Sequence, residues 1–125
     1  MVSKAVVERV IRKYGEAWVA RDPAQIIKIF TPRAIYHERV LQEPFVGHQQ
    51  IKKYWQSKVV GEQSNIKFKL LHIFIDGDTA IVEWDATFFR NVENKTIHLR
   101  EVAILEFEGN KIKSLREYWH SERLD

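Results

Sequence analysis

The chain has 125 residues, 45% of them hydrophobic, with five glycines, three prolines and 20 basic residues against 17 acidic, a net charge of +3. That composition excludes a disordered or low-complexity chain, and the absence of cysteine excludes disulfide frameworks, thiolate metal sites and a cysteine nucleophile. No apolar run approaches the roughly 18 residues of a membrane span, and the basic residues are scattered opposite apolar stripes, as on solvated faces rather than a nucleic-acid footprint.

The N-terminus, Met-Val-Ser-Lys-Ala, runs directly into a helical pattern with no signal peptide, so a cytoplasmic protein with a single domain over residues 1–125 is expected. Val7, Val10, Ile11, Tyr14, Ala17 and Trp18 recur at helical spacing and predict an amphipathic helix from Lys4 to Arg21. Asp22-Pro23 restarts the chain, with Asp22 as N-cap, Pro23 at the first helical position and Gln25 completing a capping-box pattern. Ile26, Ile27 and Phe30 form the buried stripe of this short helix, which Thr31-Pro32 ends. Ala34 to His37 reads as a short strand, followed by a loop through Glu43-Pro44. A third helix opens at Gly47-His48, buries Ile51, Tyr54, Trp55 and Val59, and stops at Gly61.

Beyond Gly61 the period changes. Ile66, Phe68 and Leu70 alternate with lysines, Asp76-Gly77-Asp78 is a hairpin turn, and Ala80 to Phe89 reads as a strand. A loop from Asn91 to Lys95 leads to Thr96–Phe107, and a turn at Glu108-Gly109-Asn110 leads to Ile112–His120. Three helices followed by a meander of long strands predict an α+β domain with a mainly antiparallel sheet.

The order and spacing of Trp18, Arg21-Asp22-Pro23, Phe30, Ala34-Ile35-Tyr36-His37-Glu38, Pro44, Gly47, Ile51 and Ile112 to Trp119 resemble the nuclear transport factor 2-like superfamily, and within it the SnoaL-like group. The resemblance covers nearly the whole chain. It implies three N-terminal helices in the concave face of a curved sheet, a pocket open at one end, and a homodimer paired through the outer sheet face. It also implies a choice among isomerase, dehydratase, cyclase, epoxide hydrolase and plain binding domains, because one fold hosts them all. Compared with ketosteroid isomerases, the oxyanion-stabilising tyrosine falls on Tyr14, the general-base carboxylate on Glu38, and the second, acidic oxyanion donor on Ala103. Alanine has no proton to donate, so the similarity implies a pocket with a positioned carboxylate and argues against the steroid reaction itself.

Glu38 is the first catalytic candidate, since a carboxylate at the rim of an apolar cavity has its pKa raised towards the range a general acid or base needs. The alternative is a loop glutamate paired with Arg39. Tyr14, on an apolar helical stripe, is either a donor to a ligand carbonyl or a core aromatic bonded to protein. Glu101 interrupts the alternating apolar face Ile97, Leu99, Ala103, Leu105 and Phe107, and Glu117 shares a face with Leu115 and Trp119. Both face a pocket unless a bulge shifts the register and turns them outward into ion pairs. On the strand before them, either Val82, Trp84, Ala86 and Phe88 or Ile81, Glu83, Asp85 and Thr87 face inward. Trp18, Trp55, Trp84 and Trp119 are core or pocket aromatics, and with Ala103 and Glu117 make the expected substrate-binding set.

His37, His48, His72, His98 and His120 show no helical metal-ligand spacing, the glycines are isolated, and no Gly-x-Ser-x-Gly elbow is present. No metal or other cofactor and no nucleic-acid or membrane partner is therefore expected. The expected function is to bind a small apolar molecule, as a cofactor-free isomerase, dehydratase or cyclase in which Glu38 moves a proton, Tyr14 polarises a carbonyl or hydroxyl and Glu101 or Glu117 assists, or alternatively as a non-catalytic ligand-binding or dimerisation domain. Val102 and Ile104 would then lie on the outer, dimer-forming face with Arg100, Arg116 and Tyr118.

Overall fold

The structure, a computed structural model, describes residues 1–124. Helix α1 (Lys4–Ala20) begins at Ser3, whose hydroxyl accepts the Val6 N–H at 3.2 Å. It ends where Arg21 turns left-handed (φ +52°) and donates its N–H to the carbonyls of Ala17 and Trp18. A non-glycine residue in that conformation costs about 1 kcal/mol, and the Arg21 guanidinium, bonded to the Gln63 carbonyl at 3.2 Å, ties the turn to the sheet. Along its buried stripe α1 presents Gly15 to Phe68, where a Cβ would lie 2.3 Å from the ring. The bare backbone is what lets the helix approach so closely.

Asp22 caps α2 (Pro23–Ile26) by accepting from the N–H groups of Ala24 and Gln25 at 3.0 and 3.3 Å. The reciprocal half of a capping box is absent, because the Asp22 N–H is already bonded to the Ala17 carbonyl. The helix is also shorter than its apolar stripe suggested. It tightens into a 3₁₀ turn at Ile27–Ile29, and Phe30 already belongs to strand β1 (Phe30–His37). Thr31 precedes Pro32 and is biased to extended backbone, and β1 finds a parallel partner at the far end of the chain, with Phe30 opposite Ile112. Where a loop was expected after Pro44, Phe45–Val46 forms a short strand β2 against Tyr36 and Ile35.

Helix α3 (Gly47–Trp55) widens into a π-helical turn at Gln56–Val60. Gly61 caps its end as expected, but not in a left-handed conformation. Its φ of −75° is right-handed, and the chain runs on into β3 (Gln63–Asp76). Strands β4 (Thr79–Arg90), β5 (Lys95–Glu108) and β6 (Lys111–Arg123) complete a six-stranded sheet in the order β2-β1-β6-β5-β4-β3, antiparallel except for β1 with β6. Gly77 (φ +63°) makes the tight β3–β4 turn. The helices cover one face of this curved, open sheet. The accessible surface, 7266 Å², is close to the roughly 7,000 Å² expected for one compact chain of this mass.

Three bulges set the facing. Asn65 (φ +51°) and Ile66 together stand opposite Phe88, so Gln63 and Ile66 both face inward. Leu71 is an extra residue opposite the Trp84–Glu83 step, so Ile66, Phe68 and Leu70 face the helices before it and Ile73 and Ile75 after it. Lys113 is the extra residue on β6, falling between the pairs Phe107–Ile112 and Glu106–Ser114. Because it precedes Leu115, it leaves Leu115, Glu117 and Trp119 on one inward face. On β4 the inward set is Val82, Trp84, Ala86 and Phe88, and on β5 all of Ile97, Leu99, Glu101, Ala103, Leu105 and Phe107 are buried. No helix among the described residues is long and apolar enough to cross a membrane.

Candidate functional site

The helices and the inner face of β4–β6 enclose a pocket of about 130 Å³. Its floor is polar. The Tyr14 hydroxyl donates to Glu117 Oε2 at 3.0 Å, the Tyr36 hydroxyl donates to the same oxygen at 3.3 Å, and the two hydroxyls are 3.4 Å apart. Tyr14 comes from the buried stripe of α1, Tyr36 from the inward alternation of β1, and Glu117 from β6.

Glu101 on β5 stands beside Glu117 and hydrogen bonds to it, carboxyl to carboxyl. Both side chains are buried, and neither forms an ion pair with a described lysine, arginine or histidine. Two ionised carboxylates cannot donate to one another. Glu101 Oε2 is buried without a hydrogen-bond donor, and a proton shared between the two carboxyl groups is what would satisfy it.

Burial, and then the negative charge of Glu117, hold the Glu101 carboxyl well above the usual carboxylate range. Burial also raises Glu117, but the hydrogen bonds donated by Glu101, Tyr14 and Tyr36 limit the rise to about 7. Burial thus favours the protonated form of both carboxyls, and their titration belongs to the pair together. Tyr14 and Tyr36 are pushed upward, chiefly by burial and next by the Glu117 charge, so they remain protonated donors.

Glu38 sits at the rim with its side chain 15% exposed, 3.3 Å from the Arg39 guanidinium. The Tyr54 hydroxyl, also raised by burial first and by the Glu117 and Glu38 charges next, hydrogen bonds to it. Arg39 reaches over the Trp119 ring, 5.0 Å from its centroid. Trp18, its indole N–H bonded to the Gln63 side chain at 2.8 Å, and Trp55 and Trp119 line the walls.

Of the expected site residues, Glu38, Tyr14, Glu101, Glu117, Trp18, Trp55 and Trp119 therefore meet at one pocket. Trp84 and Ala103 do not line it. Trp84 is fully buried behind Tyr14, ring centroids 4.9 Å apart, and packs against Phe68. Ala103 lies between Val82 and Glu117 in the sheet and is fully buried, too short to reach the cavity. Tyr36, Tyr54 and Gln63 are pocket residues that the sequence reading did not single out. For Tyr36 the signal was available, since it alternates with Ala34 on the buried face of β1. No group of three His, Asp or Glu side chains among the described residues is arranged to hold a metal ion.

The family model of the SnoaL-like domain matches residues 11–115. The chain belongs to that family. No curated protein matches it by sequence. Among solved structures it is similar to the epoxide hydrolase/cyclase-like enzyme SalBIII of pyran ring formation in the polyether salinomycin, at 18% identity and TM-score 0.79, covering 94% of this chain and 95% of that one. It is similar to a protein from Shewanella denitrificans OS-217 described as a SnoaL-like polyketide cyclase, at 13% identity and TM-score 0.78, over 94% and 92% of the two chains. A third similar structure is a hypothetical protein of ketosteroid isomerase-like fold from Catenulispora acidiphila DSM 44928, in complex with trimethylamine, at 16% identity and TM-score 0.77 over 87% and 83%. At these identities the likeness is one of fold.

Proposed function

We propose that this SnoaL-like protein is a cofactor-independent acid–base enzyme of the isomerase, lyase or cyclase kind, acting on a small, largely apolar molecule. The observation that carries the reading is the Glu101–Glu117 pair on the pocket floor. Ionised Glu117, held by the Tyr14 and Tyr36 hydroxyls, takes a proton from a substrate carbon or from an attacking hydroxyl. The pair then holds two protons and returns one to the oxygen or carbon where charge develops, so no proton is gained or lost overall. Tyr14 and Tyr36 follow the change of charge at Glu117 without titrating themselves. This gives the basic role to Glu117 and leaves Glu38, with Tyr54 and Arg39, to shape the rim. The similar structures include an epoxide hydrolase/cyclase-like enzyme and one described as a SnoaL-like polyketide cyclase, and an adjacent acid and base can serve ring closure of that general kind.

The test is turnover of a panel of medium-chain epoxides and β,γ-unsaturated ketones, followed by NMR. For a substrate that reacts, kcat/KM should rise with pH through about 7 as Glu117 ionises, and Glu117→Gln should lower it roughly 10²- to 10⁴-fold. Wild-type rates in Glu117→Gln would overturn the assignment.

A second reading is favoured by one observation: the buried pair has no cationic partner while aromatic rings surround it. Such a site suits a small organic cation, which would supply the missing charge against the ring faces, and the Catenulispora acidiphila structure holds trimethylamine. Tight trimethylammonium binding without turnover of any panel member would select this reading. In either case we propose a homodimer through the outer sheet face, where Ile81 pairs with Ile104 and Val102 with Tyr118. Its apolar patch extends to Phe74, which is 62% exposed.

A further inference from the structure

The pocket is graded along its length. On β6, Glu117, Trp119, Ser121 and Arg123 follow one another at two-residue steps, and all four line the pocket. Six residues at about 3.4 Å each carry this wall roughly 20 Å from the carboxyl floor to the mouth. The adjacent strands repeat the order. β5 places Leu99 and Ile97 above Glu101, and β4 places Phe88 and then Arg90. A volume of about 130 Å³ spread over such a length is slender.

The mouth is an ionic chain. Lys58 Nζ lies 3.6 Å from Glu62, Glu62 lies 3.3 Å from Arg90, and Arg90 lies 2.6 Å from Glu93. Glu93 is in turn 2.5 Å from Arg123. Among the described residues, three cations share two carboxylates, which leaves one surplus positive charge. The surplus faces the cavity, because Lys58, Arg90, Arg123 and Glu93 line the pocket and Glu62 does not. Across the mouth, Arg39 and Glu38 neutralise each other. The π-helical turn that carries Lys58 brings the end of α3 into this chain.

We infer that the lip selects an anionic tail: the ligand is a slender amphiphile with a neutral, oxygen-bearing head for the floor, an apolar middle, and a carboxylate held by Lys58, Arg90 and Arg123. The head end rests on the acid–base reading above, whereas the tail end stands on the lip alone. One surplus charge matches one carboxylate, and the apolar stretch of Leu99, Ile97 and Phe88 separates it from the buried pair, which would repel it.

Three probes that share head and chain test this: ω-hydroxydecanoate, neutral decanediol and cationic ω-aminodecanol. Quenching of tryptophan fluorescence at low salt reads their affinities without turnover, since Trp18, Trp55 and Trp119 line the pocket. The hydroxy acid should bind about 5-fold tighter than the diol, the scale of one partly exposed ion pair, and salt should erode the preference. Arg123→Gln should abolish it by making the chain neutral and Glu93→Gln should widen it by adding a second surplus charge, each read as the ratio of acid to diol affinity within the same variant. Equal affinity for acid and diol, tightest binding of the amine, or no saturable binding of any probe would each overturn the inference. Glu117→Gln should keep the acid-over-diol preference, so failure of the lip is distinguishable from failure of the floor.

Discussion

Asp85 on β4 and Glu101 on β5 are diagonal neighbours in the sheet, since Trp84 pairs with Glu101 and Asp85 with Arg100. They point to opposite faces and meet opposite fates. On the outer face Asp85 accepts from His98 at 2.8 Å and from Arg100 at 2.9 Å. Partial burial pushes its carboxyl up, but these hydrogen bonds outweigh it and hold the group below the usual carboxylate range. The contacts continue as a ladder across the strands, from His72 to Glu83, Arg100, Asp85, His98 and Glu122. On the inner face Glu101 and Glu117 have each other, two tyrosines and no cation. Outer charges are neutralised by neighbours and water. Inner charges are neutralised by holding a proton, which is the condition for exchanging one with a ligand.

The largest test of this contrast is the pH dependence of stability. A carboxyl raised in the fold from 4.5 to about 7 keeps its proton while the unfolded chain has lost it. The unfolded state therefore binds fewer protons in that window, and stability should fall as pH rises from about 4.5 through 7, by roughly 3 kcal/mol for Glu117. Urea denaturation at pH 5 and pH 8 measures the loss. Glu117→Gln should remove the Glu117 share and leave that of Glu101, whose carboxyl is also raised by burial, and the double variant Glu101→Gln/Glu117→Gln should remove most of it. An equal loss in the double variant would mean that the inner pair is not what titrates.

A smaller effect is expected at the tyrosines. Tyr36→Phe deletes one hydrogen bond to Glu117 and should cost about 1–2 kcal/mol at pH 8. Because that bond lowers the Glu117 pKa, the midpoint of any pH–rate profile should move upward. An unmoved midpoint would leave Tyr36 as packing only. The smallest change belongs to the outer face. There His98 is raised above its ordinary value by its hydrogen bonds to Glu122 and then Asp85. Asp85→Asn should shift the His98 titration downward, seen by NMR, and change the melting temperature little, since exposed pairs are worth about 0.2–1 kcal/mol. A large loss of stability would show the outer ladder to be as critical as the inner pair.

The α+β class, the amphipathic first helix and the hairpin turn at Gly77 were legible in the sequence because each depends on local periodicity or on one residue's conformational range. So was the interruption of an apolar strand face by Glu101, since alternation needs no tertiary knowledge as long as no bulge intervenes. The bulges at Leu71 and Lys113 left no local mark, because register is set between strands rather than within one, and only the position of the second before Leu115 turned Glu117 inward. The early entry of Phe30 into β1 likewise arose from a partner far along the chain, Ile112, whereas the short strand at Phe45 pairs with the nearby Tyr36 once β1 is in place. Most of the pocket's residue types could be read one by one, but not that Tyr14, Tyr36 and Glu101 would converge on a single oxygen-rich point around Glu117. That convergence joins residues up to 103 positions apart, and spacing along a chain carries no information about contacts that exist only once helix, parallel strand and meander have closed around one another.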